Sequence, residues 1–320
     1  MIMKKTIYYF LALNISTLYF AQETAAVEVA VKARDASDKA AAIAVPVEEA
    51  YENYIFHKEV GSTAKIFVDK TNIRDLPGLT GNVVDALPQG TSVKIVQETN
   101  IINKIQERSA QWYKIQYNGK EGYVWGANLS VANKLLDGKE FLFGVSGTQK
   151  VIDIEGISSN ALKGEVSVLE KGELLGSGVF NAGTMENIAG VEFKVDRTKK
   201  FKNIDYIIDV SVSGEACGIP TYKQTYFMKK EGFLVALPLL QSVADAGIYY
   251  HSEDYNFTGK TANQFVMTTE EAENANPDND EYKMDGFTKT AVYEWDGDRV
   301  MEMSSSVKNL KEKNCSKNLV

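Results

Sequence analysis

The feature that most constrains the fold is the stretch 112–129, WYKIQYNGKEGYVWGANL. Its apolar and polar residues alternate on both sides of Asn118-Gly119, a dipeptide that favours a tight turn between antiparallel strands. The pattern therefore predicts a β-hairpin with strands over 112–117 and 122–125. Because a lone hairpin is marginally stable in water, further strands must pair with it, and the sequence predicts a β-sheet domain.

Short strands and turns continue upstream of this hairpin. The stretch NIRDLPGLTGNVVDALPQGTSVKI contains turns at Pro77-Gly78 and at Pro88-Gln89-Gly90, and Val93 and Ile95 alternate with polar residues as in a half-buried strand. The sequence thus predicts five strands in about 65 residues with no helix between them. Such strands are expected to close on themselves into a small barrel, since closure covers their edges.

The segment 134–320 is also β-patterned. TYFMKKEGFLVAL and VYEWDGDRVMEM predict two similar hairpins, with charged turns centred on Gly232 and Gly297. The acidic, apolar-poor segment 270–285 is predicted to be a long surface loop, and LPLLQSVADAG (237–247) is the one candidate for a short helix. This second unit is therefore expected to be β-rich.

The stretch 72–129 resembles the bacterial SH3 domain family in many positions that follow one another in order. The matching residues are Asn72, Ile73, Arg74, Pro77, Gly78, Val83, Val84, Leu87, Gly90, Val93, Trp112, Lys114, Gly119, Gly122, Tyr123, Val124 and Leu129. The segment ETNIINKIQERSAQ (98–111) departs from the pattern, because it is longer than the usual loop before the Trp strand. Asn128 also stands where the family often has Tyr.

The resemblance implies a small β-barrel of the kind attached to exported bacterial proteins, where it targets cell-wall peptides or other extracellular ligands. It does not imply catalysis. We therefore predict a mainly β protein, with a small SH3-like β-barrel over 61–131 and a larger β-rich domain, sandwich or barrel-like, over 134–320. The expected partner is a cell-wall peptide or an envelope protein.

The N-terminus predicts export. Lys4 and Lys5 precede an apolar stretch that ends near Ala21, which is the pattern of a signal peptide over 1–21. An Ala-rich spacer over 22–60 follows, and the expected location is periplasmic or secreted. The formal net charge is −8, and removal of the two lysines makes it −10. Such an acidic chain is not expected to bind nucleic acid, and no membrane span is expected after signal cleavage.

Five residues are candidates for ligand binding. Trp125 follows the alternating residues of the final hairpin, and Arg74 with Asp75 lies on the first loop. Tyr249 and His251 share one face of a predicted strand in GIYYHSEDYNF, and exposed tyrosines are good recognition residues. The alternative for each aromatic residue is a place in the core.

The two cysteines, Cys217 and Cys315, predict a disulfide in an oxidising compartment, since only one pairing exists. A nucleophilic pair of Cys217 with His251 is not expected, because the residues after Cys217 do not open a helix. Four widely separated His and Cys residues give no metal spacing, and the loop NPDNDE (276–281) lacks the order of a calcium loop. We predict no catalytic residues, no metal and no cofactor.

The sequence therefore favours an exported, non-enzymatic binding protein of the bacterial cell envelope, whose SH3-like domain recognises a cell-wall peptide, glycan or protein. One alternative is a cell-envelope hydrolase with unrecognised catalytic residues in the C-terminal domain. Another is a structural module without a specific ligand.

Overall fold

A computed structural model describes residues 43–44, 54–152, 158–183, 188–214, 216–274 and 283–314. The signal peptide, most of the spacer, Cys315 and the loop 276–281 lie outside these residues. The described chain is mainly β, which confirms the predicted class. Its strands are β1 Ile43–Ala44, β2 Thr63–Lys65, β3 Thr71–Arg74, β4 Val83–Leu87, β5 Ser92–Ile105, β6 Arg108–Tyr117, β7 Lys120–Trp125, β8 Ala132–Leu136, β9 Lys139–Ile152, β10 Ser158–Glu170, β11 Glu173–Asn181, β12 Ile188–Arg197, β13 Ile204–Gly214, β14 Thr221–Lys229, β15 Leu234–Ala236, β16 Leu240–Asp245, β17 Tyr249–Asn256, β18 Gln264–Asn274, β19 Lys283–Trp295 and β20 Val300–Asn314.

Helical structure in the described ranges is limited to two 3₁₀ turns, Tyr54–Phe56 and Gly126–Asn128. Within those ranges, no helix has the length and apolar character needed to span a lipid bilayer.

The first sheet curls into a half-barrel. Its strands lie in the order β1-β5-β6-β7-β3-β4, and β2 pairs with β5. The β6–β7 hairpin turns at Asn118 and Gly119, whose φ angles are +47° and +74°, as its sequence predicts. Gly122 allows β7 to lie against β3, because a Cβ there would be 2.4 Å from Ile73 Cγ2. The inside of the curl is filled by Ala64, Ile66, Ile73, Leu87, Val93, Ile95, Tyr113, Ile115, Tyr117, Val124 and Leu129.

The segment 98–111 lengthens the hairpin between β5 and β6. β5 extends to Ile105 and β6 begins at Arg108, so the extra residues continue the two strands instead of forming an irregular loop. This extension carries Ile105, Arg108 and Ala110 beyond the curled sheet toward the rest of the chain.

The other two sheets face each other. One has the order β11-β10-β9-β8 and the other β12-β13-β14-β16-β17-β18-β19-β20, with β15 beside β14. Phe141 packs edge-on against Tyr206 at 5.2 Å between ring centroids. Tyr226 lies over Gly178, where a Cβ would be 2.4 Å from the tyrosine Cε1. These contacts form a two-layer sandwich between the four-stranded sheet and strands β12–β14.

One apolar core, the shared core, joins the first sheet to this sandwich. Trp112 and Trp125 from the first sheet lie in the same buried cluster as Phe143, Val166 and Val210. Ile55 and Phe56, at the end of the predicted spacer, are 7% and 2% exposed and belong to this cluster too. Ile55 and Phe56 are therefore part of the folded body and not of a free spacer.

Strands β16–β20 continue the long sheet past the sandwich and cover a second aromatic core around Phe227, Phe265 and Trp295. The hairpins with turns at Gly232 and Gly297 are present as predicted. The segment 237–247 contains strand β16 and no helix, so the short-helix prediction is wrong. The predicted loop 270–285 is also shorter than expected, because β18 extends to Asn274 and β19 begins at Lys283.

Candidate functional site

Arg74 and Asp75 fasten the loop that follows β3. Arg74 Nη1 donates hydrogen bonds to the carbonyl oxygens of Gly81 and Leu79, at 2.7 and 3.4 Å. Asp75 accepts from the backbone and side-chain amides of Asn82 at 2.7 and 2.9 Å, and these hydrogen bonds lower the pKa of its carboxyl group. Both side chains therefore shape the loop, and their contact with a ligand stays a prediction.

Around the same loop lies a group of exposed apolar residues. Leu76 is 58% exposed, and Val83 and Val84 on β4 are 50% and 54% exposed. Within the described chain β4 pairs only with β3, so one side of its backbone has no strand partner. We call this surface, made of Leu76, Val83 and Val84, the β4 edge. It offers a strand edge beside apolar side chains, with the Ala86 amide of β4 donating to Asp85 Oδ1 at 2.9 Å.

Trp125 lies in the core and not on a ligand face. Its side chain is 3% exposed, and its Nε1 donates to the carbonyl oxygen of Ala110 at 3.0 Å. The guanidinium of Arg108 lies 5.1 Å from the centroid of its ring. The extended β5–β6 hairpin folds over the indole, which is why Trp125 has almost no surface left for a ligand.

The same extension of the β5–β6 hairpin also supplies hydrogen-bond partners to Trp112. Asn103 Oδ1 accepts a hydrogen bond from Trp112 Nε1 at 2.7 Å, and Thr99 Oγ1 donates to the Trp112 carbonyl at 2.7 Å. Arg108 Nη1 donates to the carbonyl of Val145 in β9 at 2.9 Å, and burial lowers the pKa of Arg108 to about 10. The segment that departs from the family pattern thus connects the first sheet to the four-stranded sheet.

Tyr249 and His251 lie on the same face of β17, as the alternation predicts. His251 stands between two carboxylates: its Nδ1 is 3.3 Å from Glu271 Oε2, and its Nε2 is 3.5 Å from Glu253 Oε1. Burial raises the pKa of Tyr249, with Glu271 and Glu273 adding to the effect. The surface is therefore acidic and half-buried, and its role in ligand binding stays a prediction.

Cys217 is an exposed free thiol. It precedes Gly218, whose amide donates to the carbonyl of Ala244 at the end of β16. Asn314, the last described residue, is in β20, which lies four strands beyond β16 in the order of the sheet. The disulfide with Cys315, which is outside the described residues, stays a prediction. Among the described residues, no group of three or more His, Cys, Asp or Glu side chains is placed to hold a metal ion.

A cleft that no sequence pattern predicts lies beside the 3₁₀ turn Tyr54–Phe56 and the start of β12. A half-open space of about 200 Å³, which we call the junction cleft, is lined by Tyr54, Ile55, His57, Lys58, Val131 and residues 188–191 at the start of β12. Lys58 is a half-buried member of this lining, and burial lowers its pKa to about 8. The apolar pair Ile55-Phe56, inside the predicted spacer 22–60, is the local sequence feature that indicates packing of this segment against the folded body.

Comparison with known families identifies one part of the chain. Residues 69–130 match the family model of the bacterial SH3 domain, which agrees with the resemblance found in the motifs. The match covers β3–β7 and the 3₁₀ turn Gly126–Asn128, and therefore most of the first sheet. No curated protein and no solved structure matches the chain significantly.

Proposed function

Because residues 69–130 form a bacterial SH3 domain, we propose that this protein is an exported, non-enzymatic binding protein of the bacterial cell envelope. Its SH3 domain recognises a cell-wall peptide, glycan or protein, and its location is periplasmic or secreted. The observation that carries the proposal is the family match, together with the open β4 edge on that domain.

The β4 edge is the part of the domain best suited to a ligand. The opposite side, with Trp112 and Trp125, is buried in the shared core. At the β4 edge, an extended peptide can pair with the backbone of β4 while an apolar side chain contacts Leu76 or Val84. Of the three ligand classes, a peptide therefore fits this surface best.

Retention of the purified full chain on insoluble peptidoglycan tests the proposal. Leu76→Asp and Val84→Asp are each expected to lower the retained fraction about tenfold, as for a residue central to an interface. Val307→Asp is the matched control, because Val307 is 62% exposed on the distant strand β20. Absence of retention by the unmodified chain contradicts the proposal, and equal losses in all three variants contradict the choice of surface.

Export and the absence of catalysis need their own measurements. Fractionation of cells that express the chain with and without residues 1–21 tests export, which is expected only for the longer form. Turnover of cell-wall substrate that disappears in Cys217→Ala or His251→Ala would overturn the non-enzymatic assignment.

A further inference from the structure

The junction cleft has a mixed lining, in which aliphatic side chains lie beside polar groups that include His57 and the half-buried Lys58. Ile55 and Ile188 are buried, and Val131 and Val191 are half-buried around the same space. The cleft volume of about 200 Å³ is below the ~300–1,000 Å³ typical of sites for drug-sized ligands. Its size therefore suits a compact aliphatic group, comparable to one amino-acid residue.

Lys58 lines this cleft, and its charge has no ion-pair partner among the residues that the structure describes. Its backbone amide donates to the hydroxyl of the buried Tyr113 at 3.1 Å, which fixes the start of the side chain. Among the described residues no carboxylate lies within ion-pair distance of its ammonium group. Two other lysines with limited exposure do have such partners, at 2.7 Å for Lys65 with Glu140 and at 2.6 Å for Lys139 with Glu170, whereas the half-buried Lys200 donates to the carbonyl of Phe257.

The described titratable groups around Lys58 do not supply an ion-pair partner, and the neighbouring Glu59 is exposed. Tyr54 and His57 lie on the same segment as Lys58, and Tyr113 comes from β6. Glu98 on β5 is engaged with His57, at 3.8 Å from its Nδ1, and residues 188–191 of β12 carry no charge. A half-buried cation without an ion-pair partner is unfavourable, and a bound carboxylate removes that cost.

We propose that the junction cleft binds an aliphatic carboxylate, with its carboxylate on the Lys58 ammonium and its aliphatic part against Ile55, Val131 and Ile188. A free short-chain acid and the C-terminal residue of a peptide share this chemistry. The site is separate from the β4 edge and does not depend on the function proposed for that surface.

Titration calorimetry of the full chain at pH 7 tests the site with three probes. Isovalerate represents a free acid, N-acetyl-alanyl-leucine a peptide end, and the C-terminal amide of that peptide lacks the charge. At least one of the two carboxylates is expected to bind, and the amide is not. Binding of both identifies a general aliphatic-acid site, and binding of the peptide alone identifies a peptide end; either result supports the proposal.

Lys58→Met is expected to weaken carboxylate binding about 10–100-fold, the range for loss of a hydrogen bond to a charged group. Lys58→Arg keeps the charge and is expected to retain most of the affinity. Lys120→Met is the matched control, because Lys120 is an exposed lysine of the same domain. The affinity of this variant for the carboxylate is expected to equal that of the unmodified chain. Above pH 8 the affinity of the unmodified chain is expected to fall about tenfold per pH unit as Lys58 loses its proton.

Ala189→Phe provides a test that leaves Lys58 in place. Ala189 is an exposed residue of the lining, so a larger side chain there narrows the cleft without entering the core. Binding is expected to be lost in this variant and kept in Val84→Asp, which alters only the β4 edge. The proposal is overturned if neither carboxylate binds the unmodified chain at millimolar concentration, or if Lys58→Met or Ala189→Phe binds as well as the unmodified chain.

Discussion

At the scale of single residues, the burial of Lys58, which favours the binding of an anion, also lowers the stability of the fold. Burial lowers its pKa to about 8 in the folded chain, whereas an unfolded lysine titrates near ~10.4. Since the folded pKa is the lower one, Lys58 opposes folding fully below about pH 8. That opposition is relieved as the pH rises from the folded value toward the unfolded one. Lys58→Met is therefore expected to raise the free energy of unfolding at pH 7 by about 1–3 kcal/mol.

Urea denaturation of the Lys58→Met variant and the unmodified chain at pH 7, 8, 9 and 10 measures this effect. The stability advantage of the variant is expected to shrink from pH 8 to pH 10, because the unmodified chain loses the buried charge over that interval. A variant that is less stable at pH 7, or a difference that does not change with pH, contradicts the prediction.

Arg108 is expected to contribute to stability through its contacts. It is 5% exposed, its guanidinium lies over Trp125, and its Nη1 binds the Val145 carbonyl. Arg108→Ala removes both contacts and leaves a cavity, so the free energy of unfolding is expected to fall by about 2–4 kcal/mol. Lys120→Ala, which removes only an exposed ion pair with Asp85, is expected to change it by less than about 0.5 kcal/mol. Similar losses in the two variants would assign Arg108 no special contribution.

Residue-level prediction from the sequence succeeds where the cause is local. Asn118 and Gly119 form the expected turn because their preference for positive φ is intrinsic. The burial of Trp125 depends on the extended β5–β6 hairpin. In the sequence its extra residues, 98–111, are recognisable only as an insertion, and nothing there indicates that they cover Trp125. The junction cleft around Lys58 depends on β12, which is distant in sequence, so no local pattern indicates it.

At the scale of elements, the sandwich depends on glycines that let strands approach. Gly178 on β11 lies under Tyr226, and a Cβ there would be 2.4 Å from the ring. Gly178→Ala is therefore expected to lower the free energy of unfolding by about 1–3 kcal/mol through overpacking. Gly147→Ala on β9 is the control, because nothing lies within 4 Å of its Cβ position. It is expected to be neutral or stabilising by up to about 1 kcal/mol.

Thermal unfolding followed by circular dichroism distinguishes these two variants. An equal loss of stability would show that the effect comes from alanine in a strand and not from the contact with Tyr226. If Gly178→Ala were neutral, the two sheets would have room to separate at this point.

The elements also show where sequence patterns fail. Hairpins with Gly-containing turns are predicted well, since turn and alternation lie within one short stretch. The end of β18, EEAEN (270–274), belongs to the predicted loop 270–285 because it is acidic and poor in apolar residues. In the structure Glu270, Glu271 and Asn274 are half-buried and Ala272 is buried, so these residues continue the strand although their composition is that of a loop.

At the scale of the whole molecule, the sequence predicts two successive domains, and the structure joins them through the shared core. The family motif accounts for the fold of the first sheet. It does not predict which face of that sheet is buried, because the cluster that buries Trp112 and Trp125 is completed by residues of β9–β14. The covered side leaves the β4 edge exposed, so the fold of the second unit limits which surfaces of the SH3 domain can take part in the proposed ligand binding.

The shared core further predicts that the SH3 domain and the sandwich unfold together. Separation of the two parts would expose Trp112, Trp125 and Phe143, and the lost apolar burial would make a half-unfolded state unfavourable. The chain has three tryptophans, so Trp295→Phe leaves only the two in the SH3 domain as fluorescent reporters. In this variant, the urea midpoint from tryptophan fluorescence is expected to coincide with the midpoint from far-ultraviolet circular dichroism, which reports on all sheets. A fluorescence transition at lower urea, with most of the dichroism signal retained, would mean that the SH3 domain opens on its own, and the junction cleft would then open with it.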